Sequence, residues 1–164
     1  MALKPLEPPK AAWLLTMEAA VEKELPQLKP SARALLLAHA ALESGWGGAR
    51  AWRRGFNFGN ITAGKAWQGA KWTDVGGDVD GKGNPITQVW RAYSTVEDAI
   101  ADYWDFLGPN QNRGRYVKAR ACLEQGDAIN FALELHKAGY YELAAPEYAR
   151  RLGVVLQIVL KELS

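Results

Sequence analysis

The chain has 164 residues, 48% of them hydrophobic, which is the length of one domain with enough apolar mass for a sizeable core. Its 20 basic residues against 18 acidic ones leave a net charge of +2, which gives no nucleic-acid surface, and a pI near 8.7 favours an anionic polymer only slightly. The single cysteine, Cys122, excludes an internal disulfide and a cysteine-cluster zinc site, and "KARACLEQG" around it reads as helix with a packed thiol.

The start carries Pro5, Pro8 and Pro9 and reads as an arm over residues 1–10, leading into a single domain over residues 11–164. Its short apolar stretch, broken by Glu18, fits neither a signal peptide nor a membrane span. Leu14, Met17, Val21 and Leu25 then recur at helical spacing until Pro26 interrupts. Pro30 and Ser31 open a second helix, "ARALLLAHAALE", apolar nearly all round and therefore buried, which Gly45 stops. Residues 52–93 change character: glycines are frequent, and "KWTDV" and "ITQVWRAY" flank the turn-rich "GGDVDGKGNP", predicting one β-hairpin. "STVE" at 94–97 forms a capping box, followed by the stripe Val96, Ile100, Tyr103, Trp104 and Leu107. Further helices fit 114–125, 127–138 and 146–162, the last with Tyr148, Leu152, Val155 and Val159 inward. The expected fold is mainly α (α+β), a helical body with a small β-hairpin lobe.

Glu43 ends the buried helix, where the macrodipole is negative and desolvation disfavours charge, so both effects raise its pKa. A carboxylic acid that stays neutral is what a glycosidase needs to protonate a leaving glycosidic oxygen. Spacing alone leaves open a solvated glutamate at a frayed helix end. His39, four residues earlier, shares the face of Glu43 and reads as a supporting residue behind the site. His136, late in an amphipathic segment, reads as a surface residue.

Four blocks in order, "AHAALESGWGGA", "FNFGNITAGKAW", "VWRAYSTVEDAIADYWDFL" and "AGYYELAAPEYARRL", resemble glycoside hydrolase family 73, bacterial β-N-acetylglucosaminidases that cut peptidoglycan. The resemblance implies a lysozyme-like fold with the glycan strand lying in a cleft between a helical lobe and the hairpin lobe. It places the catalytic acid on Glu43, with Ser44 beside it either at the substrate or as a helix-capping hydroxyl. "NFGN" is similar to the segment lining the cleft opposite the acid, so that Gly59 allows close approach while Asn57 or Asn60 bonds the sugar. Tyr148 matches a tyrosine that approaches the acid, and Tyr140 matches the Gly-Tyr position. Among five tryptophans between residues 46 and 90, Trp67 and Trp72 are expected against substrate.

Two departures stand out. The family's second carboxylate is usually a glutamate in the hairpin, but none occurs between Glu43 and Glu97, so Asp74 or Asp78 is expected to serve, or the site works with one carboxylate. Asp80 precedes Gly81 in the turn and is expected to bond its own backbone. "DVDGKGN" is a fragment of a calcium loop without the full ligand set, so no metal or cofactor is expected. In the last block, five residues rather than three separate Tyr140 from Pro146, and Ala145 replaces the usual aspartate.

The function these expectations imply is hydrolysis of peptidoglycan glycan strands after N-acetylglucosamine, with Glu43 as general acid. A muramidase or lytic transglycosylase on the same fold, or an inactive wall-binding or assembly module, are the alternatives. The partner is the glycan strand, with no nucleic acid and no membrane insertion, and the protein is expected to act as a monomer. Without a signal peptide, release by phage-type lysis or a dedicated secretion machine would bring it to the wall.

Overall fold

The structure, a computed structural model, describes residues 6–164 and, within them, every side chain but that of Asp78. Helix α1 (Pro8–Glu24) begins inside the expected arm, because Pro8 and Pro9 occupy the first helical turn, where a missing N–H costs nothing. It buries Trp13, Leu14, Met17, Ala20 and Val21. The five residues before Leu6 lie outside the described residues.

Helix α2 (Pro30–Ser44) is the centre of the molecule, with ten of its fifteen residues buried, including Leu35, Leu36 and Leu37 on adjacent faces. A helix apolar all round must be covered all round. It packs against α1, against α5 (Val117–Gln125) and above all against α7 (Ala145–Glu162). Gly45 ends it in a left-handed conformation at φ 56°, its N–H capping the carbonyl of Ala41.

A short helix, α3 (Arg50–Gly55), was not expected from the sequence. The hairpin consists of β1 (Lys71–Val79) and β2 (Pro85–Arg91), antiparallel, with Trp72 opposite Trp90 and Asp74 opposite Gln88. The strands run further than expected: "GGDV" belongs to β1, and the register slips between Val75 and Asp78, a bulge that Gly76 at φ 71° makes possible. The turn itself is residues 80–84, where Asp80 Oδ1 accepts from the N–H groups of Lys82 and Asn84, as expected of a turn aspartate.

Helix α4 (Val96–Phe106) buries Ala99, Ile100 and Tyr103 against α1. Its cap is Thr95, whose hydroxyl accepts from Asp98 N–H, one residue beyond the expected Ser94. Helices α5 and α6 (Ala128–Lys137) pair, and α6 packs on α7. The expected inward stripe of α7 buries Tyr148, Leu152 and Val159, with Val155 half-buried. No helix among the described residues is long and apolar enough to cross a membrane.

Candidate active site

Glu43 sits in the last turn of α2, and its carboxyl is held from two distant parts of the chain. Tyr148, from the first turn of α7, donates its hydroxyl to Glu43 Oε1 at 2.6 Å. Asn60 donates its amide to Glu43 Oε2 at 3.2 Å and to the Glu43 carbonyl at 2.8 Å, so one side chain caps the helix end and clamps the acid. Asn60 adopts φ 53°, a left-handed conformation that asparagine tolerates better than most residues. Burial raises the Glu43 pKa above its ordinary 4.5, and the bonds from Tyr148 and Asn60 pull it back in part.

Behind the acid lies a relay. The Tyr148 oxygen is 3.0 Å from His39 Nδ1. Since the Tyr148 proton points to Glu43, Nδ1 carries the proton that Tyr148 accepts, a tautomer assigned by the network. His39 is fully buried among Tyr103, Phe131 and Tyr140, and desolvation holds its pKa down to about 3, so it stays neutral. Tyr141 stacks on Tyr148 at 3.7 Å and 11°, fixing the phenol's plane. Burial, and then the Glu43 charge, push the Tyr148 hydroxyl far above its usual pKa, so it remains a donor.

Glu43 opens on a cavity of about 270 Å³ lined also by Gly59, Asn60, Thr62, Phe106, Tyr116 and Tyr140. Tyr140 donates to the Gly59 carbonyl at 2.5 Å, and a Cβ at Gly59 would lie 3.0 Å from that hydroxyl, so glycine keeps the loop close. Phe106 and Tyr116, stacked with centroids 5.0 Å apart, were not singled out from the sequence. One ends α4 and the other precedes α5, so no shared helical period could have brought them together.

Several expected site residues sit elsewhere. The Ser44 hydroxyl donates to the Ala40 carbonyl at 2.7 Å and accepts from Gly47 N–H at 3.1 Å, so of its two readings the capping one describes it. Asn57 is 1% exposed; both its amide protons go to backbone carbonyls, of Ile61 and Arg91, and its oxygen accepts from Ile61 N–H. It ties the loop to β2 and has nothing left for a sugar. Trp67 donates to the Ala70 carbonyl at 2.9 Å beneath the Arg91 guanidinium, while Trp72 lies under Arg50. Asp74 pairs with Arg50 at 2.9 Å and is not among the partners of Glu43. The Asp78 side chain lies outside the described residues. His136 is half-buried against Tyr141. Among the described residues no group of three His, Cys, Asp or Glu lies together as a metal site would require.

A helical body, one hairpin and a shielded glutamate closing a buried helix define the lysozyme-like class of glycosidase folds. Within that class the chain belongs to the glucosaminidase family, glycoside hydrolase family 73; the family model, described as mannosyl-glycoprotein endo-beta-N-acetylglucosaminidase, matches residues 19–159. Peptidoglycan hydrolase FlgJ of Vibrio parahaemolyticus is 35% identical over 151 residues, 85% of this chain and 46% of that protein. FlgJ of Salmonella typhimurium is 33% identical over 128 residues, 75% of this chain and 38% of that protein. The chain thus spans less than half the length of these curated relatives. Among solved structures, the peptidoglycan hydrolase from Sphingomonas sp. A1 superposes with a TM-score of 0.71 at 28% identity, covering 93% of this chain and 92% of that one. The catalytic domain of the Listeria monocytogenes autolysin Auto reaches 0.68 at 13% identity over 98% of this chain and 91% of that one, a likeness of fold alone.

Proposed function

We propose that the protein hydrolyses the glycan strands of peptidoglycan, cutting after N-acetylglucosamine, with Glu43 as general acid. The observation that carries this is the Glu43 carboxyl itself, shielded enough to hold its proton above the ordinary range and open to a cavity on one side. Tyr148 and Asn60 approach both carboxyl oxygens from the protein, which leaves the cavity side for the proton that goes to the leaving glycosidic oxygen. As that proton leaves, the two donors stabilise the carboxylate that remains, an effect concentrated in the transition state. His39 acts at one remove, by orienting the Tyr148 hydroxyl. All these groups come from one chain, so a monomer carries a complete acid site, and its place of action is the cell wall.

The hairpin carboxylates Asp74 and Asp78 are the candidates for activating water across the cleft. A second reading is favoured by one observation: the described lining of the Glu43 cavity holds no other carboxylate. In that reading the substrate's own acetamido group assists departure of the leaving group.

The test is Glu43→Gln, which keeps size and hydrogen bonding but has no proton to give. Turbidity of purified sacculi should fall at least ~10²-fold more slowly, with the melting temperature preserved. A folded Glu43→Gln protein that clears sacculi at the parent rate would refute the proposal. Reducing-end analysis of the released fragments identifies the bond: N-acetylglucosamine ends support the reading, and muramic or anhydro-muramic ends replace it with a muramidase or transglycosylase.

A further inference from the structure

The nearly even charge of the whole chain conceals an uneven distribution. Between Asp105 and Glu124 the sequence carries Arg113, Arg115, Lys118 and Arg120 and no acidic residue. Arg120 is already engaged, paired with Glu124 at 3.2 Å and lying 4.0 Å from the Trp104 ring centre. Arg113, Arg115 and Lys118 are exposed, and among the described residues none of them meets a carboxylate.

Two of these cations border a cavity of about 270 Å³, lined by Arg115, Val117, Lys118, Glu134, Lys137 and Ala138. It adjoins the Glu43 cavity along a ridge of two residues. Tyr116 and Gly139 line the Glu43 side, and their chain neighbours Arg115, Val117 and Ala138 line the other, one step of ~3.8 Å along the backbone. Glu134 is bonded to Lys137 at 3.1 Å, so that pair cancels and the charge left to the cavity is that of Arg115 and Lys118. The loop that presents Arg115 is pinned. The Gln111 amide donates to Asp102 and Asp105, Gly114 N–H donates to the Gln111 carbonyl at 2.9 Å, and Arg115 N–H donates to the Asn112 carbonyl at 3.2 Å. Asn112 and Arg113 hold left-handed conformations at φ 51° and 55°, strain that persists only where the surroundings over-determine it. The Arg115 guanidinium lies 5.9 Å from the Tyr116 ring centre, which sets its charge at the rim of the acid's cavity.

Two free cations beside Val117, which is 40% exposed, and Ala138 suit an anion that carries small apolar groups. The sugars of a peptidoglycan strand are neutral where their lactyl groups are closed into amide bonds with the stem peptides, and those peptides combine alanine methyls with free carboxylates. A stem peptide hangs from the strand that is cut. Once the strand lies at Glu43, the peptide's carboxylates reach the neighbouring cavity at a high effective concentration, an advantage that a separate anionic polymer lacks. Resting on the function proposed above, we propose that Arg115 and Lys118 dock the free carboxylates of the stem peptides borne by the bound glycan strand, so that the protein acts faster on peptidoglycan whose stem carboxylates are ionised.

The test compares the protein with a double variant, Arg115→Glu with Lys118→Glu, on two substrates: peptidoglycan freed of teichoic acid, and the same material with its carboxylates converted to methylamides by carbodiimide and methylamine. The readout is kcat/KM for fragment release at low salt. On the ionised material the variant should be about tenfold slower, through KM, and the gap should close in about 0.5 M salt. On the amidated material the two proteins should agree. Arg115→Gln with Lys118→Gln, which removes the charge without reversing it, should fall between them, and melting curves verify the fold of each protein. Equal rates on the ionised material, or an equal loss on both, overturn the docking and leave the reading of Glu43 intact. A loss seen only where teichoic acid is retained assigns the cations to that polymer and overturns the stem-peptide assignment. Should the parent protein release no fragments from either material, the function itself is refuted and the docking falls with it.

Discussion

His39 gives the structure a measurable sensitivity to acid. Its ring is fully buried, one nitrogen bonded to Tyr148 and the other facing aromatic side chains, and burial lowers its pKa from 6.5 to about 3. A histidine lowered in this way is neutral when folded and takes a proton when unfolded. Its contribution is therefore fully present above pH 6.5, and is lost as pH falls through the window from 6.5 to about 3. One extra proton on the unfolded chain costs about 1.4 kcal/mol for each pH unit, which makes on the order of 5 kcal/mol across the window and about 3 kcal/mol two units below its upper edge. Total stabilities of ordinary domains are about 5–15 kcal/mol, so the effect is large. His39→Asn removes the titration while keeping a donor near the Nδ1 position. Urea unfolding of both proteins at a series of pH values separates the constant cost of the smaller side chain from the slope that belongs to the imidazole. The stability difference should swing towards the variant as pH falls. Parallel curves would show that His39 is protonated in the folded protein and that the neutral relay to Tyr148 is wrong.

Tyr148→Phe should lower kcat about 10- to 100-fold with little change in KM, because the lost bond is to a group that becomes charged in the transition state. The same bond lowers the Glu43 pKa, and the proposed general acid works protonated, so its loss should move the alkaline limb of the activity profile upward; a downward shift refutes the assignment. Asn57→Ala should destabilise by about 3 kcal/mol, since it orphans the buried Ile61 N–H and takes a side-chain donor from the Ile61 and Arg91 carbonyls, with KM unchanged in the fraction that folds. Among the hairpin variants, Asp74→Asn or Asp78→Asn should abolish the acidic limb if either carboxylate activates water. Full activity in both assigns the chemistry to Glu43 with substrate assistance.

The parts of the fold that follow from local patterns were legible in the sequence, as α2 illustrates: a run whose interior polar residue is a lone histidine can only be a buried helix, and a glutamate at its end is exposed to desolvation from that packing. Helix α3 was not legible, because six residues are too few to show a period. That omission propagated. Arg50 lies in α3, and its pairing with Asp74 and contact with Trp72 could not be foreseen without it. Gly76 and Gly77 read as a turn because a bulge and a turn ask for the same residue. Asn57 and Asn60 are equivalent as letters; backbone dihedrals separate them, sending one into the protein and the other onto the acid. Tyr148 was placed inward by periodicity and beside the acid by resemblance, and at 5% exposure with its hydroxyl on Glu43 it does both.

The contact between Glu43 and Tyr148 joins residues 105 positions apart. During synthesis the chain therefore completes its acid before the hydroxyl that conditions it, and a nascent or truncated polypeptide ending before α7 holds a glutamate without its tyrosine. A site built this way has an order of assembly written into it, and the carboxyl of Glu43 gains its tyrosine partner only when α7 docks.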